Sequence, residues 1–184
     1  GTGFLARMGE NIYVFTNQHV IVDGENPVFK NMFGSRLKVV DFEVSKLYDV
    51  ARFRIDETRK ALEFAEQAEI GEPIVVFGNS GGGGVFTQLL GRIVGVGPDR
   101  IEISAKIAPG NSGSAILNKD KKVVGIATYV TVPTVDEKEN LSAINERFAQ
   151  VRRFGMRIRP DDEWERIDWN NYKAMARMLN DHVR

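Results

Sequence analysis

Apolar residues alternate with polar ones, or run in short β-branched stretches, along most of the chain: GFLAR, NIYVFTN, SRLKVVDFEV, VARFRI, ALEF, PIVVFG, GRIVGV, RIEISAK, SAIL and KVVGIATYV. A period of two residues turns one side of a segment to a core and the other to water, so this spacing predicts strands. Turn-forming words such as MGEN, VDGENP, GPD and NKDKK join them over short distances and favour antiparallel hairpins. The pattern predicts an all-β fold. Two groups of about six strands, meeting near AEQAEIGEP, would form two antiparallel six-stranded β-barrels with a cleft between them. We take residues 1–68 as the first barrel, 69–160 as the second and 161–184 as a helical tail packed on the domain.

Three stretches break the pattern. GNSGGGGVF is a loop, because four consecutive glycines lose much conformational entropy on ordering; it is either a mobile cleft rim or a plain loose loop. Residues 131–147, TVPTVDEKENLSAINER, are charged and irregular and predict a surface insertion with some helix. In the tail, RRFGMRIR alternates like a final strand, and NNYKAMARMLNDHV sets Tyr172, Met175, Met178 and Leu179 at helical spacing behind Asn170 as a candidate cap.

Composition narrows the function classes. Twenty-five Lys plus Arg balance 25 Asp plus Glu, so no global field favours nucleic acid or an anionic membrane. The absence of cysteine excludes a thiol nucleophile, a thiolate metal site and a disulfide framework. No run reaches the length of a membrane span. The chain opens at GTGFLAR, already strand-like, and the expectation is that an upstream targeting segment was removed and the protein exported, to the periplasm or beyond.

The candidate chemistry centres on IAPGNSGSAIL, where Ser112 stands between Asn111 and Gly113. A Gly-x-Ser-Gly turn can lift a serine onto a tight bend with free backbone N–H groups beside it, yet Gly, Asn, Ser and Pro also build ordinary surface turns. Serine attack on a carbonyl needs a base, and the base needs an orienting group. The two histidines make that search short: His182 reads as a helix-end residue, whereas His19 sits at a strand end in VFTNQHVI. Asp49 interrupts the apolar entry to a strand in LYDVARFRI, and a half-buried carboxylate there needs a partner such as an imidazole N–H.

The order His19, Asp49, Ser112 resembles the chymotrypsin-like serine peptidases, and the local words resemble their bacterial HtrA/Deg-type branch. The matching pieces are GTGF, TNQHV, DVARFRI, GNSGSAILN and VVGIAT, spread over residues 1 to about 130. Ser114 and Ala115 stand where that family usually has Gly then Pro, and the residues after 160 are too few for the PDZ module that HtrA proteins carry. The likeness is therefore to a stand-alone trypsin-like peptidase domain with its own C-terminal helix.

The resemblance implies a serine endopeptidase acting on a protein or peptide through an acyl-enzyme: Ser112 as nucleophile, His19 as base and then acid, Asp49 fixing the tautomer. The Gly110 and Ser112 N–H groups would hold the oxyanion. Thr128, Tyr129 and Val130 would line the specificity pocket and pair with substrate as an added strand, Val130 making the pocket shallow and suited to Ala or Val. Lys106 either points to solvent or sits at the pocket base, where it would attract Asp or Glu. Nothing in this set requires a metal or other cofactor. A protease-like binding module or latent homologue, an esterase and, more remotely, a phosphate site at the glycine run are the alternatives.

Overall fold

The computed structural model of the chain describes residues 1–22, 24, 26–131 and 151–182, apart from the side chains of Tyr129 and residues 176–182. Eleven strands dominate it. Strands β1 (Phe4–Met8), β2 (Asn11–Thr16), β3 (Val39–Ser45) and β4 (Ala51–Ile55) precede β5 (Pro73–Gly78), β6 (Thr87–Val96), β7 (Arg100–Ile103), β8 (Ala115–Leu117), β9 (Val123–Thr131), β10 (Arg152–Met156) and β11 (Trp164–Arg166). A one-turn helix α1 (Gln18–Ile21) follows β2, and α2 (Trp169–His182) ends the described chain.

The second half closes as expected, into a six-stranded barrel of order β10-β7-β6-β5-β8-β9 with every ladder antiparallel. Its interior is filled by Ile74, Val76, Ile93, Ile101, Ile103 and Ile116, all 4% exposed or less. The first half departs from the expectation of a second six-stranded barrel. Its described strands make a five-stranded sheet, β1-β2-β4-β3-β11, whose fifth strand comes from the tail. Trp164, Glu165 and Arg166 pair with Ser45, Val44 and Glu43. The tail is thus part strand and part helix, and it covers the sheet: Phe42 meets Trp169 and Tyr172 with ring centroids 5.2 and 5.0 Å away, and Phe53 meets Trp169 at 6.3 Å.

ALEF, expected as a strand, forms only isolated bridges, Leu62 to Ala6 and Phe64 to Val123. Its alternation is real, but its two ends serve different neighbours. Leu62 exchanges backbone hydrogen bonds with Leu5 and Arg7 on β1, whereas Glu63 and Ala65 do so with Val123 on β9. The segment stitches sheet to barrel. A shared core lies along that seam, combining Tyr13 and Phe15 of β2 with Ile126 of β9 and Met156 of β10. Burial of this kind contributes about 1.5–3 kcal/mol per large apolar side chain.

Helix α2 begins two residues earlier than the Asn170 cap would place it. Asp168 is the cap: its Oδ1 accepts the N–H groups of Asn170 at 2.9 Å and Asn171 at 3.3 Å, and Tyr172 N–H bonds its carbonyl. A carboxylate at a helix N-terminus satisfies orphan donors and the dipole together, and the earlier start lets Trp169 pack on the sheet. Tyr172 is buried and Met175 is half exposed. Met178, Leu179 and His182 lie outside the described side chains, and the predicted insertion lies outside the described residues beyond Thr131. Among the described residues no helix is long and apolar enough to cross a membrane.

Candidate active site

His19 is presented by α1, directly after β2 ends at Thr16. Asp49 sits in the turn between β3 and β4, which the Ser45 hydroxyl shapes by accepting the N–H groups of Leu47 and Tyr48. The Asp49 carboxylate grips His19 twice: Oδ1 accepts the backbone N–H at 3.0 Å, and Oδ2 lies 2.5 Å from Nδ1. A carboxylate can only accept, so the pairing puts the ring proton on Nδ1 and leaves Nε2 as a proton acceptor. His19 keeps 47% of its side chain exposed and Asp49 34%, so the pair is reachable from solvent.

Two neighbours that sequence reasoning missed hold this pair. Asn17 is fully buried; its Nδ2 donates to the Asp49 carbonyl at 2.7 Å and to Thr128 Oγ1 at 3.2 Å. Gln18 Nε2 donates to the carbonyls of Tyr48 at 2.8 Å and Ser45 at 3.2 Å. Both residues belong to the TNQHV word, and the only signal in the sequence was an amide pair placed immediately before the histidine. Tyr172 OH reaches Gln18 Oε1 at 3.4 Å, and burial, with the Asp49 charge adding to it, pushes its phenol up to about 12.

Ser112 lies on the barrel side, in the loop entering β8. Gly110 and Gly113 on either side have φ of +96° and +86°, and a Cβ on Gly110 would run into the Asn79 carbonyl oxygen. The Gly110 and Ser112 N–H groups bond no acceptor among the described residues. Ser112 Oγ donates to the Thr128 carbonyl at 3.3 Å and is not hydrogen-bonded to His19. Thr128 thus joins the two sides, with its carbonyl toward Ser112 and its hydroxyl toward Asn17.

The remaining expected residues fall nearby or apart as follows. Thr128 is buried, and Val130 is half-buried against the barrel core. Among the described residues β9 pairs beyond Ala127 on its β10 side only, which leaves the other edge of Thr128–Val130 without a described strand partner next to Ser112. Lys106 is exposed on the approach to the serine loop. A cavity of about 1040 Å³ touches the site through Thr2, Val20 and Asn79 but is lined by none of His19, Asp49 or Ser112. The glycine loop is tied down: Asn79 Oδ1 accepts the Gly84 N–H, and Ser80 Oγ bonds Thr87 Oγ1 and Asn111 Oδ1.

A closed β-barrel carrying a Gly-Asn-Ser-Gly loop, joined through a common core to a sheet carrying a bonded His–Asp pair, defines an all-β protein of the serine-peptidase class. Residues 1–126 match the trypsin-like peptidase domain, and the chain belongs to that family. It is 32% identical over 145 residues to the "Probable periplasmic serine endoprotease DegP-like" of Rhizobium meliloti (strain 1021), covering 73% of this chain and 28% of that one. A protein of the same name from Bartonella henselae is 31% identical over the same shares. The "Serine protease HtrA-like" of Staphylococcus aureus (strain USA300) is 29% identical over 165 residues, 76% of this chain and 21% of that one. The chain therefore spans between a fifth and a third of the length of these relatives.

Proposed function

We propose that the chain is a serine endopeptidase domain in which Ser112, His19 and Asp49 act as one unit. The observation that carries this reading is the doubly bonded His19–Asp49 pair, which leaves Nε2 as an acceptor, coupled through Thr128 to a serine whose own N–H and that of Gly110 bond no acceptor among the described residues. The Ser112 hydroxyl turns from the Thr128 carbonyl to His19 Nε2 and attacks the substrate carbonyl carbon as its proton passes to Nε2. The carbonyl π electrons move onto oxygen, which the Gly110 and Ser112 N–H groups hold. Collapse breaks the C–N bond, His19 hands its proton to the leaving amine, and water then repeats the sequence on the acyl-enzyme.

In this reading substrate lies along the open edge of β9 as an added strand, with Thr128, Tyr129 and Val130 beside the residue on the acyl side of the cut. Val130 favours small apolar residues there, and Lys106 stays in solvent. Residues 1–68 supply the base and its orienting acid, 69–160 the nucleophile, and 161–184 the cover. The names of two relatives place those proteins in the periplasm, and we carry an extracytoplasmic setting over to this chain.

The Ser112–Thr128 hydrogen bond favours one second reading, a latent form in which the nucleophile is parked until substrate or a partner recruits it. Labelling with a fluorophosphonate probe separates the two. Rapid labelling that disappears in both Ser112→Ala and His19→Ala supports the active peptidase. Labelling that appears only after a peptide is added supports latency, and none under either condition removes the catalytic reading.

A further inference from the structure

We propose that Thr2 is a positioning residue for the oxyanion loop, resting on the reading of Gly110 and Ser112 given above. In a trans peptide the C=O of one residue and the N–H of the next point in opposite directions, so fixing a carbonyl fixes the following amide. Four consecutive carbonyls around the serine are fixed. Pro109 O accepts from Gly81 N at 2.8 Å, Gly110 O from Thr2 Oγ1 at 2.8 Å, Asn111 O from Ser114 N at 2.9 Å, and Ser112 O from Thr2 N at 3.0 Å. The first and third aim the Gly110 and Ser112 N–H groups. The second and fourth both come from Thr2.

The hydroxyl does more than hold one plane. Thr2 Oγ1 also accepts the Asn79 N–H at 3.0 Å, and Asn79 opens the short loop from which Gly81 holds Pro109. One oxygen therefore links the Gly110 peptide to the segment that aims the Gly110 N–H. Thr2 is itself anchored from the sheet side, since its carbonyl accepts the Thr16 hydroxyl at 2.7 Å and both residues are buried. A Cβ at Gly113 would run into the Thr2 carbonyl oxygen, so the two segments are packed as closely as glycine allows. Thr2 touches no reacting atom; it sets the loop that does.

The test compares Thr2→Ser, Thr2→Val and the parent chain on p-nitrophenyl acetate and on the fluorophosphonate probe. Thr2→Val keeps shape and the backbone N–H but loses the hydroxyl, and we expect kcat and the labelling rate to fall about 10- to 100-fold with KM unchanged, somewhat less than deleting an oxyanion donor outright. Thr2→Ser restores both to within about threefold. A Thr2→Val chain that turns over like the parent, or whose loss lies wholly in KM, overturns the proposal. Where Thr2→Val does not fold, Asn79→Pro withdraws the N–H on the other side of the hydroxyl, with Asn79→Ala, which loses only the side-chain bond to Gly84, as its control: a fall in kcat alone beyond that of Asn79→Ala supports the role, and a kcat equal to that of Asn79→Ala overturns it. A parent chain with no Ser112-dependent labelling, with or without added peptide, overturns the catalytic reading itself, and this inference with it.

Discussion

The barrel and the sheet solve the same burial problem with different residues. The barrel closes on itself, so its interior is narrow and its core is built from Ile, Val and Ala, with Ile93, Ile101 and Ile116 fully buried. The sheet leaves β1 and β11 unjoined and must recruit a cover, which it finds in large rings: Phe42 packs on Phe53, Trp169 and Tyr172 with centroids 4.7–5.2 Å apart. Ser112 rides on the part that closes by itself. His19 and Asp49 ride on the part that depends on the tail, so the two sides of the candidate site have separate sources of stability.

The largest test of that division asks whether the site needs both sides. On the proposed mechanism Ser112→Ala and His19→Ala should each lower peptide hydrolysis by about 10⁴- to 10⁶-fold, and the double variant should be no worse than the single ones, as for residues that act as one unit. Steady-state kinetics on a peptide substrate reads this out; a His19→Ala chain retaining a tenth of the parent rate would detach the histidine from the chemistry.

Next comes the cover. Phe42→Ala removes the ring at the centre of the aromatic cluster and should cost about 3–5 kcal/mol, whereas Ile101→Val in the barrel should cost about 0.5–1.5 kcal/mol. Urea unfolding of both variants measures the pair, and equal losses would mean that the sheet is not the more dependent half.

Alkali should find the same weakness. Burial holds the Tyr172 phenol at about 12, above its ordinary value near 10, so the folded state keeps the proton more tightly than the unfolded chain does. The stabilisation this gives is complete below about pH 10 and is lost as pH rises through about 12, up to about 2–3 kcal/mol. Tyr172→Phe should flatten the stability profile across that window in urea titrations at pH 9 and pH 11.5; a profile as steep as the parent's would assign the alkaline loss to other groups.

How much of this was legible in the sequence follows from range. Period-two alternation marked ten of the eleven strands, because one-sided burial is written locally in each segment. It missed β11, since EWERID is polar and pairs only by reaching back to β3. It also read ALEF as a strand, since alternation says nothing about which neighbour each residue will meet. Asp49 stood out as a carboxylate interrupting an apolar strand entry, whereas Ser112 and His19 taken alone also fit an ordinary turn and a core histidine and were singled out by the resemblance of their surrounding words to a known family; the structure brings His19 and Asp49 into contact. Thr2, Asn17 and Gln18 did not, because their roles are side-chain bonds to backbone groups 27 to 108 residues away. The loop around Ser112 likewise depends on Gly81 and Thr2, which adjoin it only after folding.

The smallest effect concerns the start of α2, and it isolates the cover from the sheet it covers. Asp168 satisfies two N–H groups at the first turn, so Asp168→Ala should cost about 1 kcal/mol. Asp168→Asn keeps the acceptor and gives up only the charge at the positive end of the helix, which leaves a loss of about 0.3–1 kcal/mol at low salt. If capping alone matters, the Asn variant will match the parent; if charge matters, its deficit will shrink as salt is added. In both cases the loss should appear in the stability of the whole chain and leave kcat untouched, because among the described side chains the helix reaches the His–Asp pair through Tyr172 and Gln18. A kcat that falls with the cap would show that the tail tunes the geometry of the His–Asp pair as well as covering its sheet.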